Sequence, residues 1–187
     1  LSSLVGSEMC IRDRNKNYTE IEGKALWYLQ RYASSSNNLR QYLRRKTKDT
    51  HLNYGSHEII EKIIRSFETQ NILNDKIFSE SKIRSYLNKG WAFKKISNKL
   101  LELGISKDVA SECISEFANS NDDIELISAI KLAKKRSIGP FRKSELNDKL
   151  KMKEYGILSR AGFSYSLCKK VLNELNLEEI DLINNEG

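Results

Sequence analysis

The chain is poor in residues that interrupt helices, with one proline and nine glycines in 187 residues. That scarcity excludes collagen-like and low-complexity architectures and suits an almost wholly helical protein. The three cysteines, Cys10, Cys113 and Cys168, are odd in number and far apart. Such usage argues against a disulfide framework and points to a reducing, cytoplasmic setting. Apolar runs nowhere approach the ~18 residues of a membrane span, and the N-terminus lacks the apolar core of a signal peptide. The two histidines, His51 and His57, share one polar loop with no cysteine or carboxylate at metal-ligand spacing. No Walker loop, GxGxxG or GxSxG occurs. Neither a catalytic centre, a metal nor a cofactor is therefore expected.

What the chain does have is charge and helical period. Charged residues make up 30% and the formal net charge is +7, a balance that favours an anionic partner: nucleic acid, an acidic protein surface or anionic lipid. Apolar residues recur at three and four rather than at two. Thr19 and Glu22 have capping-box spacing, which predicts a helix from Thr19 to about Tyr32. The Ser-Ser-Ser-Asn-Asn run offers N-caps for a helix carrying Leu39, Tyr42 and Leu43. Residues 46–57 read as a loop. Ser56 is placed to cap a helix with Ile59, Ile60, Ile63, Ile64 and Phe67 on one face. Asn74 or Asp75 opens the next helix and Gly90 breaks it. A stripe of Phe93, Ile96, Leu100 and Leu101 ends at Gly104, and Ser106 caps a helix through Phe117. A helix from Ile124 to about Ser137 is stopped by Gly139-Pro140. Helices from about Ser144, and from Ser164 to about Leu175, complete the series. The acidic tail beyond Glu178 is expected to fray.

Three segments align: YLQRYASSSNNLRQYL (Tyr28–Leu43), YLNKGWAFKKISNKLL (Tyr86–Leu101) and ILSRAGFSYSLCKKVL (Ile157–Leu172). Leu29, Leu87 and Leu158 coincide, with Arg31, Lys89 and Arg160 two positions on, and an apolar pair closes each segment. This suggests one helical unit used three times, too small to bury much alone and so stacked on its neighbours. A cation after the last helical turn also simply complements the helix dipole.

The order and spacing of these pieces resemble the RecX family of regulatory proteins, modulators of the RecA recombinase. The match covers roughly Ala25 to Leu175. It rests on ALWYLQRYASS with NLRQYLRRK, on LNDKIFSESKIRSYLNKG with ISNKLLELGI, and on IGPFR with LSRAGFSYSLCKKVL, the last in the form of alphaproteobacterial members. Ser79 stands where the family usually has alanine, and Ala161 where many members have arginine. Leu1–Arg14 lies outside the match. It has no cap or clear period, and VGSEMCIRDR resembles translated sequencing-adapter DNA, so it is expected to be an artefactual or disordered leader.

The resulting expectation is an all-α protein of three tandem three-helix units in an elongated, curved array: residues 15–73, 74–120 and 121–178, with a flexible acidic tail at 179–187. The resemblance implies binding to RecA and to the RecA–single-stranded DNA filament, with inhibition of filament extension, recombinase and co-protease activity, and hence a role in DNA repair and the SOS response. A monomer with no membrane association is expected. The alternative is a general helical nucleic-acid-binding protein that touches DNA directly. The candidate binding residues are the basic clusters near each turn: Arg31, Arg40, Arg44 and Arg45; Lys89, Lys94, Lys95 and Lys99; Lys134, Lys135, Arg136 and Arg142; Arg160, Lys169 and Lys170. Trp91 is a candidate exposed anchor beside them.

Overall fold

The computed structural model describes residues 2–48, 50, 52 and 55–186, with side chains between 15 and 183. Among them the fold is all-α, with helices α1 (Ser2–Leu29), α2 (Ser36–Thr47), α3 (Ser56–Thr69), α4 (Asp75–Asn88), α5 (Phe93–Glu102), α6 (Lys107–Ser120), α7 (Ile124–Arg136), α8 (Asp148–Arg160), α9 (Tyr165–Lys169) and α10 (Leu177–Glu186). The described chain divides into two compact units, residues 1–78 with 103–105, and residues 79–102 with 106–187. Apart from residues 74–78 and 103–105, the second and third stretches expected from sequence fall in the second unit.

The first unit is built by α1, α2 and α3, each packing on the other two. Its core joins Ile21 and Ala25 from α1, Leu39 and Leu43 from α2, and Ile59, Ile60, Ile63, Ile64 and Phe67 from α3. Each fully buried Leu or Ile contributes ~1.5–3 kcal/mol over leaving it exposed. Leu52 plugs this core with no exposure, although it lies in the stretch read as a polar loop. Ser35 caps α2 by accepting from the Asn38 N–H, and its hydroxyl donates to the Leu103 carbonyl at 2.6 Å. Gly104 lies so near that an added Cβ would stand 2.5 Å from the Asn37 amide nitrogen.

The second unit packs Leu126, Ala129, Ile130 and Ala133 of α7 against Leu158 of α8, Cys168 of α9 and Val171 and Leu172 beyond it. The segment expected as one helix from Ser164 to Leu175 is α9 followed by a π-helical turn, Lys170–Glu174. Val171 and Leu172 of that turn meet Gly139, whose φ is +59° and whose added Cβ would lie 3.1 Å from the Val171 carbonyl.

Several boundaries differ from the sequence reading. Helix α1 runs through Thr19, whose hydroxyl donates back to the Asn15 carbonyl at 3.1 Å. Nothing at that point stops the preceding turns, so the capping-box spacing marks no helix start. Gly55, with φ +69°, is the N-cap of α3, and Ser56 is its first helical residue. Helix α8 begins at Asp148, because the Asn147 side chain accepts from the Leu150 N–H. The acidic stretch past Glu178 lies in α10, where Ile180 is 2% exposed.

Candidate functional site

The second and third aligned segments each end a helix with a leucine, a basic residue and a left-handed glycine: Leu87, Lys89 and Gly90 (φ +80°), then Leu158, Arg160 and Gly162 (φ +97°). The two turns meet. The Ala92 N–H donates to the Ala161 carbonyl at 3.0 Å, and the Lys95 ammonium donates to the Arg160 carbonyl at 3.3 Å. A Cβ on Gly162 would lie 3.1 Å from the Lys95 Cβ, and one on Gly90 would lie 2.5 Å from the Leu132 Cβ. Glycine is required at both by backbone sign and by approach.

Helix α7 holds the first of these turns from beneath. Ser128, buried, donates its hydroxyl toward the carbonyls of Leu87 and Trp91, each at 2.9 Å. One turn earlier, the Glu125 carboxylate accepts from the Phe93 N–H at 2.9 Å and caps α5. One turn later, Lys131 donates to the Asn88 side chain at 2.8 Å. Spacings of three place all of them on one helix face.

The result is a cleft of about 520 Å³ lined by Lys89, Trp91, Lys95, Leu132, Lys135, Arg136, Lys153, Ile157, Arg160 and Ala161. Six of those side chains are cationic, and among the described lining residues none is acidic. Cations converging on one concave surface raise its affinity for phosphate or carboxylate groups. Trp91 is half-buried: its indole stacks on the Tyr86 ring (centroids 4.6 Å apart, planes 4° from parallel), and the Lys95 ammonium lies 4.4 Å over it. Lys89 lies 5.2 Å over the Tyr86 ring. Such contacts hold a lysine without neutralising it.

The expected residues therefore separate. Lys89, Lys95, Lys135, Arg136 and Arg160 come together in this cleft. Lys94 and Lys134 are exposed outside its lining. Lys99 pairs with Glu102 at 2.7 Å and Lys169 with Glu174 at 3.1 Å, and both ammonium pKa values are raised by those carboxylates. Lys170 is exposed on the π turn. Arg142 holds Glu154 with Nε at 2.7 Å and an Nη at 2.6 Å, and that hydrogen bonding raises its pKa. Glu154 is 1% exposed and also accepts from the Gly139 N–H, so Arg142 is committed to the interior.

In the first unit, Arg40 and Arg44 both reach Glu61, at 2.8 and 3.3 Å. Burial pushes the Glu61 pKa up, but the Arg40 hydrogen bond and the charges of Arg40, Arg44 and His57 hold it below its ordinary value. His57 Nε2 lies 3.1 Å from an Arg44 nitrogen, and His51 lies outside the described residues. Arg45 is exposed, and the Arg31 guanidinium lies 4.2 Å over the Trp27 ring. Cys113 and Cys168 are buried, and burial raises the Cys168 pKa. No group of three metal-ligating side chains, and no helix long and apolar enough to cross a membrane, occurs among the described residues.

Sequence reasoning missed Lys153, Tyr86 and the supporting face of α7. Lys153 lies seven residues before Arg160, two helical turns along one face, and that spacing was the available signal. Nothing local marks Glu125 or Ser128, because their partners are main-chain groups over thirty positions away.

No family model matches the chain. It is 25% identical over 183 residues to the regulatory protein RecX of Agrobacterium fabrum, covering 95% of both chains. It is 26% identical over 169 residues to that of Myxococcus xanthus, covering 87% of this chain and 89% of the relative. The RecX of Lactococcus lactis subsp. cremoris is 32% identical over 169 residues, which span 59% of that longer relative. The crystal structure of RecX from Lactobacillus salivarius superposes with a TM-score of 0.67 at 23% identity, over 90% of this chain and 99% of the other. A second RecX crystal structure gives 0.69 at 19% identity, over 90% and 78%. The curated relatives support the RecX family, and the two solved structures share the fold.

Proposed function

We propose that this chain is a RecX-type regulator, which binds RecA and the RecA–single-stranded DNA filament and opposes filament extension, recombinase and co-protease activity. It acts in the cytoplasm as a monomer, by occupancy without catalysis; its relatives carry the name of regulatory proteins. The observation that supports this reading is the convergence of Lys89, Lys95, Lys135, Arg136, Lys153 and Arg160 in one cleft. Two of these cations come from equivalent positions of the aligned segments, as expected if a repeated unit supplies the contacts, with boundaries at 15–73, 74–120 and 121–178. A cleft this basic recognises an anionic surface more readily than a small neutral ligand.

The test adds the full chain to RecA, single-stranded DNA and ATP and follows DNA-dependent ATP hydrolysis, with a control for binding to bare DNA at the same salt. The expected outcome is loss of ATP hydrolysis at a dose well below RecA and below that needed to coat the DNA. The double variant Lys89→Glu/Arg160→Glu should lose that effect while staying helical. Unaffected ATP hydrolysis beside tight binding to bare DNA would replace this reading with that of a general nucleic-acid-binding protein.

A further inference from the structure

Positive charge is distributed unevenly along the chain. Residues 15–48 carry eight Lys and Arg against two Glu, a net +6 in a chain whose whole formal net charge is +7. Three of those cations, Lys24, Arg31 and Lys46, lie beside an aromatic feature within the first unit. A recess of about 450 Å³ is lined by Glu20, Gly23, Lys24 and Trp27 of α1 and by Tyr42 and Lys46 of α2. Its walls are an indole and a phenol, and its floor includes Gly23, where an added Cβ would meet nothing within 4 Å. The walls are held from outside. Tyr42 stacks on Tyr28 with centroids 4.2 Å apart, and Arg31 lies 4.2 Å over the Trp27 ring. Trp27 is nevertheless 48% exposed. Lys46 sits 6.0 Å over the Tyr42 ring, and Lys24 is paired with Glu20 at 2.9 Å.

We propose that this recess is a base-binding slot for single-stranded nucleic acid, in which one unstacked base lodges against Trp27 and Tyr42 over Gly23 while Lys24, Arg31 and Lys46 take the flanking phosphates. An aromatic wall beside cations is the combination that binds single strands with little sequence preference. Bases within a duplex stay stacked and cannot enter. The cations beside the recess favour a polyanion over an apolar protein segment, which would gain nothing from Lys24, Arg31 and Lys46. The slot goes beyond the proposed function: it is distinct from the cleft of Lys89 and Arg160 and operates on strands that carry no RecA.

The chain contains two tryptophans, so a full-length chain with Trp91→Phe leaves Trp27 as the sole indole reporter. It is titrated with an oligothymidylate of about 12 nucleotides and with an abasic sugar–phosphate strand of equal length. The expected result is quenching of Trp27 emission by the base-bearing strand alone, and roughly tenfold tighter binding of that strand. Adding Gly23→Leu, at a helical position with open space around it, should fill the slot. Quenching and the preference for bases should then vanish, with circular dichroism unchanged. Equal binding of the two strands without quenching would overturn the slot, and so would quenching that persists with Gly23→Leu, or quenching by an acidic tyrosine-bearing peptide but not by the oligonucleotide. Running Gly23→Leu and the wild type in the RecA assay separates the two ideas. A failed slot beside intact inhibition of ATP hydrolysis removes this inference alone, and a working slot beside absent inhibition removes only the filament reading.

Discussion

Arg142 shows what a residue's number of charges leaves unsaid. In sequence it belongs to the same basic region as Lys135 and Arg136. In the fold its guanidinium neutralises Glu154, which is 1% exposed. Removing one partner of a buried pair strands the other, so Arg142→Ala should cost about 3 kcal/mol. Arg142→Met with Glu154→Leu should recover most of it, as measured by urea unfolding. By contrast, Arg142→Ala should not change the salt dependence of filament binding beyond its effect on folding. The pair was illegible in sequence because nothing local ties two residues twelve apart across a turn. Glu61 contributes a pH-dependent part of the stability. Its carboxyl is held below the ordinary value of 4.5, so it contributes stability above that value and loses it as pH falls through the depressed one. Glu61→Gln should flatten the acid limb of a circular-dichroism titration below about pH 4.5, while the wild type keeps it.

At the scale of elements, the reading succeeded where a stop signal is backed by backbone chemistry. Gly90 and Gly104 end helices with positive φ, and Ser35, Ser106 and Ser164 cap them through their hydroxyls, whereas α7 is ended by Ser137 (φ +52°), two residues before the Gly139-Pro140 turn. It failed where spacing alone was read. Thr19 and Glu22 have the interval of a cap, but capping needs a break before the threonine, and the residues ahead of it continue α1. The core role of Leu52 was equally hidden, because an isolated leucine among polar residues has no period to report. Two glycines make the contrast measurable. Gly162 has φ +97° and its added Cβ would crowd Lys95, so Gly162→Ala should cost about 2 kcal/mol. Gly23 lies inside α1 with open space, so Gly23→Ala should stabilise by up to ~1 kcal/mol. Chemical denaturation of the two variants checks both signs.

For the molecule as a whole, composition pointed to the all-α fold that the structure has, and the order of the aligned segments pointed to the family of its curated relatives. Composition could not say which cations act together. That depends on where turns seventy residues apart are brought into register. If the cleft meets a polyanion, affinity should fall steeply with salt. Lys89→Glu/Arg160→Glu should then reduce the slope of log affinity against log salt by about one for each phosphate the variant no longer neutralises. An unchanged slope would place the binding surface elsewhere. The register itself rests on the hydrogen bond from the Ala92 N–H to the Ala161 carbonyl. Both partners are main-chain atoms, so side chains on either side can be exchanged without touching the bond, provided neither turn gains a proline at the donor or excess bulk. Such a joint leaves no trace in residue identity. It can persist through divergence that erases three-quarters of the sequence, and a lineage could remodel the chemistry of the cleft while inheriting its shape.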